Sequence, residues 1–231
     1  MINKTIWNIE YRLNIYQYDW CESPRAWGNI WTFIMQHKSY SFWDEEFTNH
    51  WNSFEEDFAY DVNSKYKIID EFESDYSMSE EESNKIWNFI NDNIIYEEVY
   101  MIDHSWVSIN TKWFWCSWDS GQIGYIYSHK DNITKELILK EWEDWEKKLR
   151  DILVNEIKTL NYYIEWNIYW FNIESRELIE KDWKTFYSEW EYEDWCWWFY
   201  WDDIKELAKE IVWYNDIFTI EEIENCEISY N

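Results

Sequence analysis

The sequence predicts an α+β fold in which a mixed, mainly antiparallel sheet packs against a long helix and a C-terminal helix. Short runs of alternating apolar and polar residues recur along the chain, a pattern typical of half-buried strands. Between Leu149 and Ile164, apolar residues recur at steps of three and four with charges between them, as in an amphipathic helix. Because helices lie between and after the strands, a two-layer α+β arrangement follows.

The first part of the chain is predicted to contain one strand and one short helix. The strand covers Trp7–Tyr18, where apolar and polar residues alternate. A serine–proline pair at 23–24 is a helix-start signal, so Ala26–His37 is predicted to be a short helix. Segment 49–85 is dense in acidic residues and is predicted to be an insertion or a flexible connection. No linker rich in Pro, Gly or Ser divides the chain, which favours a single domain over residues 1–231.

The central part is predicted to hold the main sheet. Strands Val99–His104 and Val107–Asn110 flank a short turn, another strand covers Gln122–Ser128, and we expect these strands to lie next to each other. Residues 111–121 exceed a usual hairpin loop, so we expect a shaped loop there. The long helix, part of a helical stretch over 134–165, should pack its apolar stripe on this sheet. The remaining predicted elements are strands Asn167–Ile173 and Asp194–Tyr200 and helix Ile204–Val212.

Tryptophan and glycine occur in abnormal proportions. The chain has 22 Trp and 3 Gly in 231 residues, whereas an ordinary globular chain of this length has about 16 Gly. The abundance of Ile, Asn, Lys, Glu and Tyr points to an AT-rich gene, and some uncultured bacterial lineages read the UGA codon as glycine. We hypothesise that most of the tryptophans stand where the chain physically needs glycine. The alternative is a chain of unusual composition in which every printed tryptophan is a genuine tryptophan.

Local sequence supports the glycine hypothesis at several positions. Trp106 follows the turn formers Asp103 and Ser105, where a glycine supplies the positive φ of a tight turn. Trp166 follows the long helix, and glycine is favoured after a helix C-terminus. Glycine at Trp198 and Trp201 leaves a readable strand before the last helix.

Four ordered segments carry a family resemblance: ESPRAWGNIW at 22–31, MIDHSWVSIN at 101–110, CSWDSGQIGYIY at 116–127 and CWWFYW at 196–201. From about Tyr11 to Trp201 the chain resembles an uncharacterised family of bacteriophage and prophage proteins. The family has glycine at the positions of Trp31, Trp43, Trp106, Trp170, Trp198 and Trp201, and tryptophan at those of Trp27, Trp118 and Trp197. The chain departs from the family at two positions. The family more often has proline at the position of Cys21 and a small polar residue at the position of Trp115.

The resemblance implies UGA codons at the first set of positions and UGG codons at the second set, and the place of Trp166 after the long helix predicts a UGA codon there too. The sequence leaves seven other positions undecided: Trp7, Trp20, Trp51, Trp87, Trp142, Trp145 and Trp213. Because no activity is established for the family, the resemblance implies an accessory protein of a phage or mobile element and no particular reaction.

The net charge of −28 is concentrated in two blocks, residues 41–100 and 171–231. An acidic field repels nucleic acid and attracts basic protein surfaces. We therefore expect no direct nucleic-acid binding, and a basic host protein, such as a nucleic-acid-binding or defence protein, as the partner. The sharpest form of this expectation is DNA mimicry. The simpler alternative is a solvated face that aids solubility.

Several classes of site and location are disfavoured. No run of about 18 apolar residues is present, and the N-terminus lacks the apolar core of a secretory signal, so no membrane is expected and the location is expected to be cytoplasmic, in a bacterial host cell. The four cysteines lack the spacing of metal ligands and are expected to be reduced thiols. No phosphate-binding loop or other cofactor motif occurs, so neither a metal nor a cofactor is expected.

One group of residues is a catalytic candidate: His104, Cys116 and Asp119, next to Asp103. A cysteine nucleophile needs a nearby base, and a histidine base needs a carboxylate to fix its tautomer. Polar residues at strand ends also serve as ordinary turn formers, which is the structural alternative.

Two further groups are binding candidates. Arg25 beside Trp27 could grip a carboxylate or a phosphate, although the same segment could serve only as a helix start. Trp118, Ser120 and Gln122 belong to a polar turn, whose side chains could instead bond back to the backbone.

Three function classes remain open. The acidic excess and the lack of a cofactor motif favour an accessory protein that acts by contact with a host protein. A small enzyme that uses the neighbourhood of Asp103, His104, Cys116 and Asp119 is the alternative. A structural virion component is the third class, and it is disfavoured because nothing in the sequence is repetitive or fibrous.

Overall fold

The computed structural model describes residues 1–17, 21–29, 31–47, 53–73, 78–132, 145–200 and 204–230. Its helices and mainly antiparallel sheets confirm the predicted α+β class. The chain divides into two compact units, where the sequence favoured one domain: an outer unit of residues 1–22 and 162–231, and an inserted unit of residues 23–161. Because the second unit is inserted into the first, no linker in the sequence marks their boundary.

Strands β1 to β11 and helices α1 to α5 make up the described secondary structure, together with a 3-10 helix at Pro24–Ala26. The strands are β1 (Ile2–Ile6), β2 (Ile9–Gln17), β3 (Thr32–Met35), β4 (Glu45–Glu46), β5 (Ile94–His104), β6 (Trp106–Asn110), β7 (Ser120–His129), β8 (Ile168–Lys181), β9 (Lys184–Tyr187), β10 (Glu191–Tyr200) and β11 (Ser229–Tyr230). The helices are α1 (Phe54–Tyr66), α2 (Glu80–Asn93), α3 (Trp145–Ile164), α4 (Ile204–Tyr214) and α5 (Ile220–Glu224). None of these helices combines the length and the apolar composition needed to cross a bilayer.

The outer unit is a sheet with one apolar face and one polar face. Its strand order is β1-β2-β8-β10, with β11 beside β2 and β9 beside β8. Leu13 and Ile15 of β2 and Phe171 of β8 are fully buried on one face, in a core shared with Leu207 and Ile211 of α4. Because side chains alternate along a strand, the residues between them face the other way.

The polar face carries four directly opposed pairs between β2 and β8: Glu10–Arg176, Arg12–Glu174, Asn14–Asn172 and Tyr16–Trp170. Arg12 lies 2.5 Å from Glu174, and the amides of Asn14 and Asn172 are joined by a 2.9 Å hydrogen bond. Matched cross-strand pairs stabilise one pairing, and a slip by one residue would place all of them on the apolar face. These pairs therefore determine the register of β2 on β8.

The inserted unit contains the sheet that the sequence predicted, in the order β4-β3-β7-β5-β6. Strand β5 pairs antiparallel with both β6 and β7, which confirms the predicted neighbours. The nine residues 111–119 between β6 and β7 form an irregular loop, as expected. Helices α1 and α2 share a core with this sheet, in which Phe58, Ile86 and Tyr125 are buried.

The long helix predicted around Leu149–Ile164 is confirmed as α3, while residues 134–144 of the predicted stretch lie outside the described residues. Its stripe of Leu149, Leu153, Ile157 and Leu160 is buried. Two hydrogen bonds attach the helix to the predicted sheet. Arg150 Nη1 donates to Tyr96 O at 3.1 Å, and Asn161 Oδ1 accepts from Ile109 N at 2.7 Å.

In the first part of the chain one prediction is wrong and another segment proves to hold a helix. The described part of segment 49–85 contains α1, whose Phe58, Ala59 and Val62 are fully buried, so this helix belongs to the core of the inserted unit. The acidic residues of the segment dominate its composition and obscure a helix with a short apolar stripe. Residues 26–37 are not a helix, because only the 3-10 turn follows Ser23 and the apolar run at 32–35 pairs with β7 as a strand. The helix-start signal is real, but burial of the apolar run in the sheet prevails over it.

Two tryptophans lie at positive φ in hairpin turns, a conformation that is rare for bulky residues. Trp7 (φ 58°) begins the two-residue connection of β1 and β2, so the predicted strand from Trp7 begins after this turn. Asp182 (φ 53°) and Trp183 (φ 62°) form the connection of β8 and β9. Two-residue hairpin loops of this kind favour glycine, and Asp-Gly is among their strongest signals.

Trp166 also lies at positive φ (61°), directly after α3. Trp166 N donates to Tyr163 O at 3.2 Å and Asn167 N donates to Tyr162 O at 2.8 Å. This pair of bonds is the Schellman closure of a helix, whose left-handed residue is usually glycine. The backbone therefore supports the glycine hypothesis at the position where the sequence predicted a helix C-terminal glycine.

Other predicted glycine positions behave differently. In the turn before β6 the positive φ falls on Ser105 (56°), so the backbone does not require glycine at Trp106. Trp31 is 2% exposed, and its Nε1 is buried without a hydrogen-bond partner among the described residues, so this indole occupies a core position rather than a turn. Trp43 and Trp170 are half-buried. The side chain of Trp198 and all of Trp201 lie outside the described residues.

Candidate functional site

The structure brings together the three residues that the sequence proposed for catalysis. His104 ends β5, and Asp119 directly precedes β7, its neighbour in the sheet. Asp119 Oδ2 lies 2.9 Å from His104 Nδ1 and 3.6 Å from Cys116 Sγ. A backbone hydrogen bond of 2.9 Å from Asp103 N to Asp119 O holds the two strand ends together. We call His104, Cys116 and Asp119 the loop cluster.

The order of groups in the loop cluster determines what chemistry it can perform. A carboxylate on Nδ1 fixes the imidazole tautomer and leaves Nε2 for proton transfer, as in catalytic His–Asp pairs. The His104 side chain is 61% exposed, so Nε2 chemistry is open to solvent. Cys116 contacts the carboxylate and not the imidazole. A cysteine nucleophile needs a base that adjoins the thiol, so the arrangement suits a histidine base better than a cysteine nucleophile.

The remaining residues of the polar turn have mainly structural contacts. Ser120 Oγ donates to Cys116 O, so this hydroxyl bonds back to the turn backbone. Trp118 is 94% exposed. Gln122 lies inside β7, opposite Tyr100 of β5, and not in the loop. Of the three residues proposed for binding here, only Trp118 presents a broad surface to solvent.

Arg25, predicted to grip a carboxylate or a phosphate, pairs with two carboxylates of its own chain. Its Nε donates to Asp44 Oδ1 at 3.0 Å, its Nη2 to Asp44 Oδ2 and, at 2.7 Å, to Trp31 O, and its Nη1 to Glu156 Oε2 at 2.7 Å. The Arg25 side chain is only 7% exposed. The sequence placed Arg25 and Trp27 together correctly, but it missed Asp44 and Glu156, which lie 19 and 131 residues away along the chain.

A cavity of about 230 Å³ lies beside Arg25 within the inserted unit. Its lining consists of Pro24, Arg25, Trp27, Asn29, Ile152, Asn155, Glu156 and Thr159. Burial raises the pKa of Glu156, while its hydrogen bond and ion pair with Arg25 act in the opposite direction. The cavity is therefore bordered by a buried ion pair, an aromatic ring and several polar groups.

Five exposed carboxylates lie just before α2 and in its first turn along the chain, and we call them the acidic edge: Asp70, Glu71, Glu73, Glu80 and Glu81. Glu82 ties Glu73 to the start of α2, because its carboxylate accepts from Glu73 N at 2.8 Å and from Ser79 N at 2.7 Å. These backbone hydrogen bonds lower the pKa of Glu82. Across the described part of the chain, no basic side chain forms an ion pair with the acidic edge.

Other kinds of site find little basis among the described residues. No group of three or more His, Cys, Asp or Glu side chains in those ranges could hold a metal ion. All four cysteines are free thiols. Comparison of the chain with models of protein families, with curated proteins and with solved structures found no match.

Proposed function

We propose that this protein is an accessory protein of a phage or mobile element, located in the bacterial cytoplasm, that acts by contact with a basic host protein. The acidic edge carries this proposal, since its five carboxylates are exposed and form no ion pair with a basic side chain in the described ranges. Carboxylates concentrated in this way attract basic surfaces and repel nucleic acid. A host protein that binds nucleic acid is the fitting partner, because its own ligand is a polyanion. The phage origin rests on the sequence resemblance.

The acidic edge is held in place by a charged cap. Ser79 Oγ and the Glu82 carboxylate form a reciprocal capping box at the N-terminus of α2, where negative charge also interacts favourably with the helix dipole. Because the pKa of Glu82 is lowered in the folded state, its contribution to stability is present above the unfolded pKa of a glutamate and is lost as pH falls through the folded pKa. At neutral pH the cap therefore supports the edge.

Neutralising the acidic edge is expected to weaken binding to a captured basic host protein by at least about tenfold. The test variant is E73Q/E80Q/E81Q, and the matched control is E221Q/E224Q/E227Q, which removes the same charge from the outer unit. Screening over about 8 Å at physiological ionic strength should also weaken the unaltered complex steeply as salt is raised. Affinity for one purified partner, measured by calorimetry at several salt concentrations, checks both expectations.

Two outcomes would contradict the contact proposal. Equal losses in both triple variants would show that only the total charge matters and not the acidic edge. Failure to capture any basic nucleic-acid-binding or defence protein from host extract at low salt would remove the proposed partner class.

The 2.9 Å contact between His104 and Asp119 favours a second candidate, an enzyme that uses His104 as a general base. Loss of a positioned base typically lowers a rate by about 10²–10⁴-fold. We expect H104A and D119N to reduce any hydrolytic activity to that extent, while C116S retains most of it because the thiol contacts only the carboxylate. Hydrolysis of activated esters and phosphoesters by the three variants tests this candidate. Absence of activity in the unaltered protein, or an equal loss in C116S, would contradict it.

A further inference from the structure

The ion cluster beside the cavity carries an excess of negative charge. Among the described residues Arg25 is the only cation paired with Asp44 and Glu156. With both carboxylates ionised, the cluster has one negative charge more than Arg25 can neutralise. Asp44 Oδ2 also accepts a hydrogen bond from Phe33 N at 2.7 Å, whereas Glu156 lines the cavity. Because a largely buried charge without a full partner is costly, Glu156 favours a ligand that supplies a positive charge.

The lining of the cavity offers acceptors and an aromatic ring. Asn29 Nδ2 already donates to Pro24 O at 2.8 Å, and Thr159 Oγ1 already donates to Asn155 O at 2.9 Å. Their remaining oxygen lone pairs, together with Glu156 Oε1, are acceptors. Trp27 provides the aromatic part of the lining, and an indole ring is the best partner for a cation.

We propose that this cavity binds an alkylammonium or guanidinium group. Such a group supplies the missing positive charge, donates several hydrogen bonds to the acceptors and has an apolar chain that Ile152 and Trp27 can cover. The volume of about 230 Å³ is sufficient for a head group with a short chain. The group belongs either to a free small amine or to the side chain of a partner protein. The proposal does not depend on the acidic edge, which consists of other residues.

The test follows the indole ¹H–¹⁵N signal of Trp27, assigned by its loss in W27F, during titration of the whole protein. With n-butylammonium we expect a saturable shift with a Kd in the millimolar range, because ligands of this size have few atoms to contribute. With n-butanol, its neutral counterpart, binding should be at least about tenfold weaker, since the charge makes the difference. Inorganic phosphate should cause no saturable shift.

Variants locate the binding group. E156Q is expected to weaken n-butylammonium binding at least about tenfold, whereas E146Q, on the same helix but paired with Lys130 at an exposed position, should leave it unchanged. If E156Q does not fold, W27L replaces it as the test variant and is also expected to bind n-butylammonium more weakly. This change removes the π face but keeps an apolar side chain at a partly exposed position. Binding to W27L is followed by the backbone amide signal of Thr159. If N-acetyl-lysinamide binds more tightly than n-butylammonium, the group belongs to the side chain of a partner protein. If the two bind equally, the group belongs to a free amine.

Three results would overturn the proposal. Saturable binding of phosphate would show an anion site around Arg25, as the sequence first suggested. Equal binding of n-butanol and n-butylammonium would show an apolar cavity without charge selectivity. The absence of a saturable shift with every cation would show that the cavity has no ligand of this class.

Discussion

Replacing Trp7 and Trp183 with glycine is expected to raise the free energy of unfolding by about 1 kcal/mol at each position, and replacing Trp166 is expected to raise it by less. A left-handed conformation costs a residue with a side chain about 1–2 kcal/mol, because its Cβ approaches the following carbonyl oxygen. Glycine avoids this cost, although its freedom in the unfolded chain returns part of the gain. The indoles of Trp7 and Trp183 are 93% and 106% exposed, so their removal sacrifices little buried apolar surface, whereas Trp166 is 55% exposed and the surface lost there offsets the gain.

The measurement is denaturant unfolding of the three single variants and of the triple variant. Changes at separate sites usually add, so the triple variant is expected to gain about 2 kcal/mol, mainly from positions 7 and 183. The matched control is W118G, since Trp118 is 94% exposed and does not lie at positive φ. There glycine should lower stability by about 0.5–1 kcal/mol. Stabilisation of W118G by as much as W7G would show that loss of an exposed indole, and not backbone conformation, is responsible.

These variants also bear on the glycine hypothesis. At Trp166 the sequence predicts a glycine after the helix, and the backbone has the positive φ that favours glycine. Trp7 and Trp183 also lie at positive φ, although the sequence did not decide whether glycine belongs there. We propose that all three codons are UGA in the source gene. The nucleotide sequence tests this directly, and UGG at all three positions would exclude it.

What the sequence could predict depended on how local the determining interactions are. Strands β5 and β7 and helix α3 follow from periodicity within one element, and each was predicted. Strand β3 was not, because its run of 32–35 is too short to show a period and pairs with β7, almost a hundred residues away along the chain. The division into two units was missed for a related reason, since an inserted unit leaves no change in composition at its boundary.

The same distinction applies to the sites. His104 and Asp119 were predicted to be close because they stand at the adjoining ends of two predicted neighbouring strands. The cavity beside Arg25 could not be predicted in full. Asp44 follows a predicted helix that proved to be a strand, and Glu156 lies on a distant helix face where one acidic residue resembles any other. Electrostatic partners across a fold leave no periodic trace in a sequence.

Removal of the Arg25 charge is expected to cause the largest loss of stability of any change considered. In R25M the apolar chain is retained, but Asp44 and Glu156 lose their common partner and Trp31 O loses its donor. Breaking a buried ion pair from one side typically costs about 3–5 kcal/mol, because the remaining charge is uncompensated. Denaturant unfolding measures this loss. K209M is the matched control, since the Lys209–Glu206 pair is exposed and such pairs contribute about 0–1 kcal/mol.

Two further measurements distinguish lost charge compensation from lost packing in R25M. Burial raises the pKa of Glu156, and removing Arg25 removes the interaction that opposes this rise. A carboxyl with a raised folded pKa contributes stability that is present at low pH and lost as pH rises through the folded pKa. The stability difference between R25M and the unaltered protein should therefore shrink as pH is lowered from about 7 to about 5, and R25M/E156Q should recover part of it at neutral pH. A difference that is independent of pH and unchanged by E156Q would mean that Arg25 acts through packing alone, because only a charge left without its partner responds to protonation.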